Sequence, residues 1–270
     1  MSLPLLIAVA ACYLVATLLY VNLLLTQRGA MDGLARGTLV AGLLLHTVAF
    51  VALHRPGDGG GAPWSPVQDS ISFMAYAVVA LWLIFQGRWR VKALGALVSP
   101  LAFFLVFYAA LPIGGPAPPE SVRSIWPHFH ILLSVIGFAF LAIACAAGLI
   151  YLVQDRELKS RRGAALARVA FRLPPLEVLD RVNTICLLYG FPILTIGMIT
   201  GALWESGRTG RFVWEPHVTF SLAAWLLYLL IVFFRLVWHQ RGRRAALLSV
   251  IGFLLLTSSY LGVRALGLGS

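Results

Sequence analysis

Charge is scarce in this 270-residue chain. Only 11% of its residues are Asp, Glu, Lys or Arg, and just 10 of them are acids. A soluble domain carries about 25% charged residues. This scarcity excludes a soluble enzyme and also a disordered tail, which needs polarity to stay solvated. Cysteine is scarce as well: Cys12, Cys145 and Cys186 all sit in apolar runs, with no Cys-x-x-Cys spacing. A disulfide-stapled secreted module and a thioredoxin-like pair are therefore excluded, and buried structural thiols are expected. The chain also lacks a Walker A loop, a Gly-x-Gly-x-x-Gly after a strand and a His-Glu-x-x-His helix. No residue set supports a chemical reaction.

What the chain has in abundance is apolar sequence, 60% of residues, with a mean hydropathy of +0.88. A helical membrane span needs about 20 mostly apolar residues. Eight runs qualify: 3–26, 34–54, 68–86, 92–112, 126–153, 182–203, 217–238 and 245–266. They are too long and too continuous for barrel strands, which alternate over about 10 residues. The expected fold is an all-α polytopic transmembrane bundle over 1–270, one integral membrane domain of eight spans. The N-terminus, Met1-Ser2-Leu3-Pro4, lacks a basic region, so the first run reads as a retained helix.

The net charge is +11. The connections after spans 1, 3, 5 and 7 hold 16 of the 21 Lys and Arg residues, and the other side holds five. Such an asymmetry marks the cytoplasmic face, so both termini are expected outside. Nucleic acid is not an expected partner, because no compact basic patch is visible. The partner is the lipid bilayer. A linker at about 155–181 mixes Leu158, Leu166, Val169 and Phe171 with basic residues. It reads as a basic amphipathic cytoplasmic helix on the anionic leaflet, ending at Pro174-Pro175, with a plain linker as the alternative.

That orientation places five of the six histidines in the outer half. His46 lies eight residues before His54, about 12 Å deeper at about 1.5 Å per residue. His130 sits one turn inside a helix whose start is marked by Pro127, and it shares a face with Ser134, Gly137, Leu141, Cys145 and Gly148. Ionisable groups at such depth face the bundle interior. His46 and His130 are suitable axial ligands for a haem iron. A buried histidine hydrogen-bonded to a neighbouring helix is the alternative at either position. The outer loop places Trp204 and Trp214 beside Arg208, Arg211 and His217. Flat apolar side chains suit a porphyrin ring, and arginine suits its propionates; an interfacial aromatic belt explains the tryptophans equally. No Cys-x-x-Cys-His is present for covalent haem attachment, and the candidate cofactor is haem b, held non-covalently. Gly197-x-x-x-Gly201 matches a helix-packing motif.

The segment from Trp126 through His128, His130 and Ser134 to Phe138 resembles the histidine-led helix of the cytochrome c assembly proteins (CcsA/CcmC type). Gly201-Ala202-Leu203-Trp204, Trp214-Glu215-Pro216-His217 and Trp225-Leu226-Leu227-Tyr228 resemble that family's tryptophan-rich outer loop and the span after it. The resemblance covers nearly the whole chain and is closest to the eight-span YpjD-like inner-membrane branch. It implies a haem-binding protein of cytochrome c assembly, handling or delivering haem at the outer face of a bacterial cytoplasmic membrane. His130 would match the family's outer haem-ligating histidine, and His46 a histidine of that branch's second span. Departures are Glu215 for the signature Asp, His217 for a lysine, and Phe233 where haem-moving members have a further histidine. Expected partners are other cytochrome c biogenesis subunits or a cytoplasmic enzyme docking on the 155–181 linker. The alternative is a non-catalytic regulator or complex partner without haem, HemX-like. A solute transporter has little support, because intramembrane acids and an internal repeat are missing.

Overall fold

The computed structural model describes residues 2–26, 30–53, 66–89, 91–111, 126–160, 173–210, 214 and 216–258. They form eight α-helices: α1 (Ser2–Thr26), α2 (Ala30–Leu53), α3 (Pro66–Trp89), α4 (Gly95–Ala110), α5 (Trp126–Ser160), α6 (Leu176–Thr209), α7 (Pro216–Val237) and α8 (Arg243–Thr257). A short 3-10 turn, Lys92–Leu94, leads into α4. No strand occurs among the described residues. Seven helices, α1 to α7, are long and apolar enough to cross a membrane. The eighth expected span, 245–266, begins in α8 and runs beyond residue 258, outside the described residues.

Surface apolarity agrees with a lipid environment. Leu18, Ile84 and Phe104 are each more than 60% exposed, as lipid-facing side chains are when the solvent is hydrocarbon. Chain chemistry sets the helix ends. Pro127 and Pro216 stand in first turns, where a missing N–H costs nothing. Pro175 caps α6, its carbonyl accepting from the N–H of Val178 and of Leu179. Gly210, at φ 68°, closes the same helix in the left-handed conformation that glycine tolerates. The expected linker helix falls differently: its first residues belong to α5 and its last to α6, while 161–172 lie outside the described residues. Lys159 pairs with Asp155 one turn back, Nζ to Oδ1 at 2.9 Å.

The chain divides into two compact units, 1–123 and 124–270. In the first, α1 packs on α2 and α4, and α3 on α4. Tyr13, Tyr20 and Trp82 are fully buried there. Tyr20 donates its hydroxyl to Gln86 Oε1 at 2.9 Å, and Lys92 forms an ion pair with Asp32. In the second unit α5 packs on α6 and α8, with α7 on α8 and α6. Small residues set these approaches. A Cβ on Gly137 would meet Leu194, one on Gly190 would meet Phe140, and one on Gly148 would lie 2.9 Å from the Ala246 carbonyl. Membrane helices associate through such close packing, since lipid supplies no hydrophobic drive between them.

Candidate functional site

His130 stands in the second turn of α5, half-buried, with Phe129 exposed beside it. Its Nδ1–H donates to the Gly197 carbonyl of α6 at 2.6 Å, and Ser134 Oγ lies 3.4 Å from the same nitrogen. The Gly197 carbonyl also accepts from Thr200 Oγ1 at 2.8 Å. The face expected from sequence is the one that meets α6: Gly197 lies against Ser134, and Gly201 against the His130 ring. The Gly197-x-x-x-Gly201 motif thus packs directly on the histidine. Trp204 follows Gly201 by one turn on α6, half-buried.

His46 belongs to the 1–123 unit and has a different environment. It is fully buried, and both ring nitrogens are engaged: Nδ1 with the Tyr13 hydroxyl at 3.2 Å, and Nε2 with Ser72 Oγ at 2.9 Å. One ring nitrogen donates and the other accepts, because hydroxyls take either role. Phe50 stacks on the ring at 5.1 Å between centroids, and Tyr76 meets it edge-on at 5.6 Å. Each unit therefore holds one of the two expected histidines.

Trp214 is exposed. The backbones of Arg208 and His217 lie on α6 and α7, but their side chains, like the whole of Arg211, are outside the described residues. His54 is outside them as well. Phe233 is exposed on α7, with its ring 5.9 Å from Trp238. Cys12, Cys145 and Cys186 are free thiols. Among the described residues no group of three or more His, Cys, Asp or Glu could hold a bare metal ion; a haem iron needs only one or two axial ligands from the protein.

A second constellation was invisible in the charge pattern. Arg235, at the end of α7, is buried and pairs with Asp180 of α6, Nη2 to Oδ1 at 3.1 Å. The guanidinium also donates to Asn183 Oδ1 at 2.8 Å and to Thr184 Oγ1. Asn183 donates in turn to the Ala144 carbonyl of α5 at 2.7 Å, and the Gly242 N–H donates to Asp180 Oδ1 at 3.2 Å. Ser249 of α8 donates to Asn183 Oδ1 at 3.3 Å. One network thus ties all four helices of the unit at the end carrying Arg241, Arg243 and Arg244. Arg235 lies near the end of the expected span 217–238, and the available signal for its partners was the spacing of Asp180, Asn183 and Thr184, which puts them on one helix face.

Apolar crossing helices and lipid-type surface exposure define a polytopic helical membrane protein. The family model "Cytochrome C assembly protein" matches residues 64–270. The chain belongs to this family. It is similar to the cytochrome c biogenesis protein CcsA of Guillardia theta, 27% identical over 242 residues, covering 83% of this chain and 80% of the relative. The CcsA protein of Synechococcus sp. (strain CC9605) is 29% identical over 261 residues, covering 88% and 85%. That of Pyropia yezoensis is 26% identical over 296 residues, covering 95% and 92%.

Proposed function

We propose that this chain is a haem-binding membrane protein of cytochrome c assembly, handling or delivering haem at the outer face of a bacterial cytoplasmic membrane. The observation that carries the reading is His130, in a chain of the cytochrome c assembly family. Its described hydrogen bonds all fall on Nδ1, which would leave Nε2 to hold a haem iron. The candidate cofactor is haem b bound without a covalent thioether link. Trp204 and Trp214 would supply apolar faces, Arg208 and Arg211 would meet the propionates, and His217 is a further candidate contact. His46 is the second candidate ligand, and it would have to exchange the Ser72 hydrogen bond for iron. Both termini lie outside in this reading, and the YpjD-like branch is the subgroup it favours. Other biogenesis subunits are the expected partners. Haem supplies the iron chemistry, and the protein supplies ligation, orientation and shelter from water.

The test is the absorption spectrum of detergent-purified protein supplemented with haem, alongside His130→Ala and His46→Ala. A Soret band that collapses in His130→Ala is expected. A wild-type spectrum without a Soret band sinks the reading. The second reading is a HemX-like regulator without haem, and the full hydrogen bonding of His46 favours it. Co-purification of a cytoplasmic enzyme that survives both histidine variants but fails on charge reversal in the 155–181 linker would select it.

A further inference from the structure

We infer that Gly197 and Gly201 decide which nitrogen His130 offers to a ligand. The Gly197 carbonyl holds the ring proton on Nδ1, and the missing side chain at Gly201 gives the ring room to lie there, so Nε2 is presented as the lone-pair donor. The functional consequence rests on the haem-binding reading; the geometry does not.

A carbonyl oxygen carries lone pairs and no proton. The 2.6 Å contact between Nδ1 and the Gly197 carbonyl is therefore a hydrogen bond only when Nδ1 bears the proton. Neutral imidazole has one such proton, so Nε2 is bare. A Cβ at position 201 would lie 2.6 Å from both Nδ1 and Cε1, and 3.2 Å from Cγ. Even alanine would push the ring off the carbonyl. Turning about χ2 leaves the 3.2 Å contact at Cγ in place, so relief takes a change at χ1, which carries Nδ1 away from the carbonyl. At position 197 a Cβ would lie 2.9 Å from the Ser134 backbone nitrogen, so any larger residue would part α5 from α6. The two glycines lie four residues apart on one helix face, and together they form a seat.

Metal-bound imidazoles donate their other N–H to a carboxylate or a backbone carbonyl, which fixes the tautomer and raises ligand basicity. His130 has that arrangement already built. Nδ1 is turned into α6 and closed to a ligand. The group it suits is a transition-metal centre with an open axial position, such as porphyrin iron. Gly197 and Gly201 are positioning residues; neither touches the ligand.

The experiment is nitrogen NMR of the full chain labelled with 15N-histidine, in detergent at a pH where imidazoles are neutral. His130 is assigned by its loss in His130→Asn. The wild type should show Nδ1 protonated and Nε2 bare. Gly201→Ala should lose that pattern and raise the haem dissociation constant, read by Soret titration, about tenfold. Gly37→Ala in α2, whose new Cβ meets nothing within 4 Å, should change neither. A wild-type His130 that carries its proton on Nε2, or averages both forms, overturns the inference whether or not haem binds. This wild-type result decides even where Gly201→Ala fails to fold. A folded Gly201→Ala with unchanged tautomer and affinity overturns the role of Gly201. The expected tautomer in a protein that binds no haem upholds the seat and removes the haem reading instead.

Discussion

Asp180→Ala tests the network that joins the four helices of the 124–270 unit. The substitution removes the only carboxylate paired with Arg235 among the described residues, and that guanidinium is 3% exposed against 15% for Asp180. Breaking a buried ion pair from one side costs about 3–5 kcal/mol, because the remaining charge is stranded. Asn183 and Thr184 still accept from the guanidinium, which puts the expectation near the lower end, about 3 kcal/mol. The Gly242 N–H also loses its acceptor, worth about 1 kcal/mol. Arg235→Met removes the other partner and keeps side-chain length. The assay is reversible unfolding in mixed micelles with increasing SDS, followed by circular dichroism, for both single variants and the double. The double variant should lose clearly less than the sum, because a matched apolar pair strands no charge. Additivity within about 0.5 kcal/mol would refute the coupling.

Three further outcomes are expected. Gly242→Ala should cost about 1–3 kcal/mol in the same unfolding assay. Its φ of 84° and ψ of −149° are accessible essentially to glycine alone, and the Tyr151 hydroxyl stands 3.1 Å from the new Cβ. His46→Phe should keep the stacking on Phe50 but leave Tyr13 and Ser72 without their ring-nitrogen partners. At about 1–3 kcal/mol per stranded buried group, a clear drop in thermal midpoint is expected, and an unchanged midpoint would show that the pair is not buried as described. Gly95→Ala should overpack the Tyr20 ring, which lies 2.5 Å from the added Cβ, at about 1–3 kcal/mol. Tyr20→Leu in the same chain should recover part of that loss, and strict additivity would contradict the contact.

The spans were readable because a bilayer leaves few options for a long apolar run, and α1 and α2 fall close to where hydropathy places them. Helix ends were less readable. The expected span 126–153 continues as helix to Ser160, and 182–203 extends back to Leu176 and on to Thr209. These extensions carry Asp155, Lys159, Asp180, Arg181 and Glu205, which hydropathy counts as interruption although a helix accepts them. The face of His130 was legible from its spacing to Ser134 and Gly137. Its acceptor was not, because a backbone carbonyl leaves no trace in residue identity. For His46 the sequence left ligation and hydrogen bonding open. The partners that fill both ring nitrogens, Tyr13 and Ser72, come from two other helices, and no local pattern names them.

The group that orients His130 belongs to the main chain and so lies beyond the reach of side-chain replacement. Point mutation can alter its distance but cannot delete it. Among the described residues no acid or amide holds the ring; the instruction is written as two missing side chains. For protein engineering the consequence is a compact recipe. A histidine on one helix, facing two glycines four residues apart on its neighbour, obtains a fixed tautomer without placing a charge inside the bundle. The cost of transplanting that recipe is packing precision, because the same emptiness that admits the ring would admit a lipid chain if the helices stood further apart.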